Sequence, residues 1–181
     1  MAREFDINRL LSLMPPPEGG GESGDWAAVQ STWGFRFPRD YTEFITRYGQ
    51  GEIDRSLAVF APDELMPADA PQPGMRGMTE EARWLFEEDG ESTEQVRSAE
   101  QIVAWGGSAT ADTLGWLTVD DDPDAWPVLV LGRNGGPPSV YDMGMVEFLH
   151  GLVSGGISPS PVGAVVTWGE KPPRFVHWQA D

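Results

Sequence analysis

The stretch Asp25–Phe60, DWAAVQSTWGFRFPRDYTEFITRYGQGEIDRSLAVF, decides the fold. Asp25 carries a carboxylate suited to an N-cap, where it can accept from the free N–H groups of the next turn. Trp26, Val29 and Trp33 follow at helical spacing, and Gly34 ends that helix. Pro38 suits the first turn of a second helix, where its missing N–H costs nothing. Tyr41, Phe44, Ile45 and Tyr48 stand at i, i+3, i+4 and i+7, so one face of that helix is buried. Gly49 and Gly51 supply the positive φ that stops and reverses the chain, and Leu57–Phe60 reads as a short buried strand. Nothing in this stretch has the pattern of a catalytic group. It reads as scaffolding around a partner-binding surface.

Working outward, Phe5–Met14 is a short helix capped by Asp6, with Leu10, Leu11 and Leu13 packing, and Pro15–Gly24 is a linker rich in Pro and Gly. Ala61–Gly77 is rich in Pro and Met and is expected to be irregular, with a helical turn around Asp63–Met66. Thr79–Glu88 is a predicted helix, with Thr79 as its cap and Trp84 and Leu85 facing inward; Asp89–Ser98 is polar. Strands are expected at Ile102–Trp105, Leu114–Val119, Trp126–Leu131 and Ser139–Tyr141, the middle two forming a hairpin across Asp120–Asp124. Met145, Phe148, Leu149 and Leu152 share a helical face that Gly155 ends. Val165–Trp168 and Arg174–Trp178 alternate around Gly169–Pro173, which predicts a terminal hairpin. The sum is an α+β chain, a largely antiparallel twisted sheet packed by helices. One domain is expected, with residues 1–24 as helix and linker, 25–155 as core and 156–181 as a C-terminal extension. No internal repeat is visible.

A length of 181 residues fits one domain, since domains span roughly 100–200 residues. Hydrophobic residues make up 40% of the chain and tryptophans number 8, a composition that folds. No run approaches the roughly 18 apolar residues of a membrane helix, and the N-terminus has no basic start followed by an apolar core. With 0 cysteines, disulfides, thiolate metal sites and cysteine nucleophiles are excluded, and a cytoplasmic location is expected. Arginine outnumbers lysine 11 to 1 and Gly and Pro are abundant, as in GC-rich bacterial genomes. The net charge of −17 repels nucleic acid and anionic membranes and attracts basic proteins. Much of it is local, because Glu80–Asp124 holds 13 acidic and 2 basic residues. An acidic face is also the ordinary means of staying soluble.

Candidate chemistry is sparse. Asp120, Asp122 and Asp124 have the spacing of the first three calcium ligands of an EF-hand, but Ala125 and Leu131 stand where the loop needs Gly and a bidentate Glu. An acidic turn with Pro123 setting φ is the simpler account. Gly106-Gly107-Ser108-Ala109-Thr110 departs from G-x-S-x-G at its last residue, and the bases on offer, His150 and His177, read as packing or surface histidines. Trp26, Trp33, Trp84 and Trp116 hold core-like positions, so burial explains them before sugar binding does. There is no phosphate-cradling glycine motif and no basic stripe. No cofactor or metal is expected.

The order of residues resembles the SUKH superfamily, which includes yeast cell-wall regulators and many bacterial immunity proteins. The resemblance rests on Trp26, Phe37-Pro38 with Asp40-Tyr41, Phe44, Tyr48-Gly49, Gly51-Glu52-Ile53 and the strand ending at Phe60. Gly115-Trp116-Leu117, Trp126-Pro127-Val128 and Phe148-Leu149 are similar to later elements of that family. It implies a non-catalytic protein that binds and neutralises a cognate toxin, often a nuclease, or one that docks a signalling or cell-wall protein as a regulatory scaffold. Nuclease toxins present basic clefts, which an acidic surface can fill. Charge, independently of the family, selects Glu87, Glu88 and Asp89 after the third predicted long helix, and Asp120, Asp121, Asp122 and Asp124 in the hairpin turn, as the residues that meet a basic partner. Arg39, Asp40 and Tyr41 read as residues that hold the fold together. An enzyme would instead need a deep pocket with a shifted carboxylate or histidine.

Overall fold

The structure, a computed structural model, describes residues 4–70 and 74–178. Helices α1 (Ile7–Leu13), α2 (Trp26–Trp33) and α3 (Arg39–Tyr48) precede strands β1 (Gly51–Ile53) and β2 (Leu57–Val59). Helix α4 (Met75–Asp89) leads into β3 (Ile102–Ser108), β4 (Thr113–Leu117), β5 (Val128–Leu131) and β6 (Ser139–Tyr141). Helix α5 (Met145–Val153) and strand β7 (Phe175–His177) follow. The strands form one sheet in the order β6-β5-β4-β3-β2-β1-β7, each neighbouring pair antiparallel. This is the α+β architecture that the sequence predicts.

The expected caps are present at the first two helices: Asp6 accepts from the Asn8 N–H, and Asp25 from those of Ala27 and Ala28. Gly49 ends α3 with the expected positive φ, 74°, where a side chain would strike the Glu22 carboxylate and the His177 ring; Gly51 has no positive φ and instead opens β1, paired with Val59.

Both faces of the central strands are buried, so β4 is closed to solvent along its whole length. Val103, Trp105, Leu114, Trp116, Val128 and Val130 face the large core under α1, α2, α3 and α5. Ile102, Ala104, Leu117 and Leu129 alternate with them and face a smaller core under α4, with Ala82, Phe86, Val96 and Ala99. In the large core, Tyr41 packs edge-on against Trp116 at 4.9 Å between ring centroids, and Phe44 stacks on Tyr48 at 4.6 Å. Buried hydroxyls are satisfied, Tyr41 donating to the Phe60 carbonyl and Tyr48 to that of Met14, each at 2.6 Å. Burial drives both phenol pKa values upward. Arg39, Asp40 and Tyr41 thus bind elements together, as their sequence context suggests.

Three expectations are corrected. The C-terminal hairpin does not form: Val165–Trp168 is not a strand, and Phe175–His177 pairs with β1, Ile53 opposite Phe175. The Val165 N–H is held instead by the Ser56 hydroxyl at 3.0 Å, and Phe175 adds its ring to Phe44 and Tyr48 in the core. Helix α4 begins at Met75, inside the segment expected to be irregular; of that segment, residues 71–73 lie outside the described residues. Thr79 is therefore not a cap but a buried residue one turn into the helix.

Candidate protein interface

Helix α4 carries the most distinctive surface. Its buried stripe runs through Met75, Thr79, Ala82 and Phe86. Thr79 fixes its height on the sheet, its hydroxyl accepting from the Ala104 N–H at 3.1 Å. Arg83 fixes its rotation, donating from Nε to the Ile102 carbonyl at 2.9 Å. The first turn is capped from a distance, since Asp63 accepts from the Arg76 N–H at 2.9 Å.

Trp84 does not face inward. Its fractional exposure is 58%, and that of Leu85 is 36%. The positions three and four residues to either side of Trp84 are Glu80, Glu81, Glu87 and Glu88, its neighbours on a helical surface. A large exposed aromatic thus sits inside a ring of carboxylates. The two cations of α4 do not neutralise them. Arg83 is turned to backbone carbonyls, and Arg76 pairs with Glu64 at 2.7 Å while lying 4.4 Å from the centroid of the Trp33 ring.

Glu87, Glu88 and Asp89 are all exposed and all lie in the last turn of α4, which has no basic residue. The C-terminal end of a helix is the negative end of its dipole, so this placement opposes folding. Glu80, Glu81 and Trp84 are the members of the surface that charge alone did not select. Their signal in the sequence is the tryptophan with glutamates at all its helical neighbours.

The other predicted acidic group divides. Asp120 and Asp121 are exposed. Asp124 turns inward, its side chain 8% exposed, and accepts from Arg36 Nη1 at 3.1 Å, Arg39 Nε at 2.6 Å and the Arg39 N–H at 2.7 Å. Burial pushes the Asp124 carboxyl up, but these donors outweigh it and hold it below the ordinary carboxylate value. Asp122 pairs with Arg36 at 2.8 Å and accepts from the Asp124 N–H. Part of this turn is therefore an internal ion network that joins the hairpin to α3, and Asp120 and Asp121 remain as its outward charges.

The two acidic groups are not one patch. The Asp120–Asp124 turn lies at the Trp116/Val128 end of the β4–β5 hairpin. The end of α4 meets the opposite end, beyond Leu131, where Gly90 bridges to Gly136.

A groove runs beside α4, in two parts of about 310 and 240 Å³. The first lies over Ala58, Phe60 and Met78, and the second over Phe86, Thr113 and Leu131; Glu81 and Leu85 border both. Another open cavity, of about 450 Å³, lies between α2 and His177. Its Glu22 is engaged with the His177 ring at 2.9 Å and with the Gln50 N–H at 2.8 Å, and its Asp25 caps α2.

The Ser108 hydroxyl donates to Asp112 at 2.6 Å. Asp112 also accepts from Thr110 and from the N–H groups of Arg133 and Gly163. Burial raises the Asp112 pKa, but these donors lower it by more, with a net downward shift. This cluster ties the β3–β4 turn to the C-terminal segment. His150 lies in α5, where burial and the nearby Arg9 lower its pKa. Among the described residues no three His, Cys, Asp or Glu side chains are arranged to hold a metal ion, and no helix is long and apolar enough to cross a membrane. No family model matches the chain, and neither a curated protein nor a solved structure matches it significantly.

Proposed function

We propose that this chain is a non-catalytic binding module that captures a basic protein through the outer face of α4. The observation that carries this reading is Trp84, 58% exposed, with Glu80, Glu81, Glu87 and Glu88 around it. Binding energy in protein interfaces concentrates in aromatic anchors enclosed by polar neighbours, and tryptophan leads that list. A partner's Arg or Lys would meet the carboxylates and stack on the indole face. It would also neutralise charge that the last turn of the helix holds at a cost in stability.

Together with the SUKH resemblance of Trp26–Phe60, this supports an immunity protein acting in the cytoplasm of a bacterium on a cognate toxin, for which a nuclease with its basic cleft is the fitting class. Docking of a host signalling or cell-wall protein is the alternative, and the partner's identity separates the two.

The test is an affinity capture from the native host at low and at moderate salt, run in parallel with Trp84→Ala. A basic, toxin-like chain retained by the wild type, weakened by salt and lost with the variant supports immunity. Housekeeping envelope or signalling proteins with the same dependence support the scaffold. Equal capture by wild type and variant overturns the α4 surface.

A further inference from the structure

We infer that the recess at the end of α4 is a socket for a single arginine side chain of the basic partner. This rests on the α4 reading above and adds a specific contact to it. Glu81, Leu85 and Asp89 recur at i, i+4 and i+8, so they form one stripe along the flank of the helix. That stripe is acid, apolar, acid, and it borders the part of the groove of about 240 Å³. That part of the groove has room for one long side chain, and the carboxylates of Glu81 and Asp89 at its border favour a cationic one. Phe86, Thr113 and Leu131 line the recess with Leu85.

The chemistry is that of arginine. A long aliphatic stem can lie against Leu85, Phe86 and Leu131, while a planar guanidinium with five donors can address carboxylates at separate points. The recess is also built to keep its shape. Across from α4 its wall is the Gly132–Gly136 loop, held by the Gly136 N–H on the Asp89 carbonyl at 3.3 Å and the Glu91 N–H on the Gly136 carbonyl at 3.2 Å. Gly135, at φ 72°, approaches so closely that a Cβ there would stand 2.7 Å from the Asp89 carbonyl oxygen. Arg133 stands at the rim, its N–H on Asp112, and its guanidinium forms no ion pair among the described residues. It sets one positive charge against the carboxylates of Glu81 and Asp89.

The test titrates an oligo-arginine peptide and its neutral oligo-citrulline counterpart into the 15N-labelled protein at low salt. Shifts at the amides of Gly90, Gly132 and Gly136 together with the Trp84 indole, from the arginine peptide alone, are expected. Asp89→Asn should weaken that binding about tenfold, as loss of a charged hydrogen-bond acceptor does. Arg133→Gln should strengthen it, a result that a merely structural role for the rim would not give. Shifts confined to Trp84, Glu80, Glu87 and Glu88 overturn the socket and leave the α4 surface standing. Absence of any shift at Trp84 and at the recess overturns both. Equal response to the citrulline peptide overturns the charge recognition.

Discussion

Asp40, in the first turn of α3, caps α5: its Oδ2 accepts from the Val146 N–H at 3.1 Å. Helix α5 has Gly144 at its N-cap position and no side-chain cap of its own, so the carboxylate comes from another helix. Burial raises the Asp40 pKa, against the lowering effect of the Val146 and Tyr41 N–H groups. Asp40→Ala is expected to cost about 1–2 kcal/mol, the usual range for loss of a cap, whereas Asp40→Asn keeps an acceptor and costs less. A raised folded-state pKa gives stability that is present below the ordinary value of 3.8 and lost as pH rises through the folded value. Urea melts of wild type and Asp40→Asn across that range should diverge as the pH rises; parallel curves would refute the assignment.

Asp124 has the opposite sign. Its lowered pKa contributes stability above 3.8 that is lost as pH falls through the folded value. Asp124→Asn should therefore lower stability at neutral pH by about 1–3 kcal/mol, because Arg36 and Arg39 lose a charged acceptor, and should flatten the acid limb of the stability curve. Asp120→Asn with Asp121→Asn should leave melting unchanged. If the turn also meets a basic partner, that pair should slow association and reduce its salt dependence in stopped-flow measurements.

The last turn of α4 supplies a variant expected to stabilise. Replacing Glu87, Glu88 and Asp89 by Gln, Gln and Asn removes carboxylates from the negative end of the helix dipole. The melting temperature should rise by about 2–4 °C at low salt, and the gain should shrink as salt screens the charges. Thermal melts at two salt concentrations check this, and a fall in melting temperature would mean that these carboxylates support the fold.

Phe44 is fully buried, stacked on Tyr48 and 5.8 Å between centroids from Phe175. Phe44→Ala should cost about 3–5 kcal/mol. Chemical denaturation reads it directly, and a change within error would refute the packing of α3 against β7.

Local signals made much of the fold legible. Asp6, Asp25, Gly34 and Gly49 punctuate helices whose apolar spacing is plain, and the β4–β5 hairpin announces itself by two apolar runs around an acidic turn. The errors fall where distant residues decide. Nothing local marks Met75 as a helix start, because the carboxylate that accepts the Arg76 N–H belongs to Asp63. The alternation of Val165–Trp168 suggested a strand, but Ser56 claims its backbone and β1 is the partner that β7 finds.

The acidic face of α4 is half legible in the sequence. Glu87, Glu88 and Asp89 are exposed as charge predicts, whereas hydrophobicity alone places Trp84 in the interior and the structure places it outside. The glutamates three and four residues away on both sides mark that helical face as solvent-facing. Asp124 departs in the other direction: charge marks it as outward, and nothing local to the turn indicates that Arg36 and Arg39 enclose it.

The division of the sheet into a large core on one face and a smaller one beneath α4 has an evolutionary consequence. Most of the aromatic residues that secure the main body lie on the side of the sheet away from α4. The outward positions of α4 take no part in either core, so substitutions there need not pass through a folding defect. A lineage facing a changing partner could rewrite this surface residue by residue while inheriting the same scaffold.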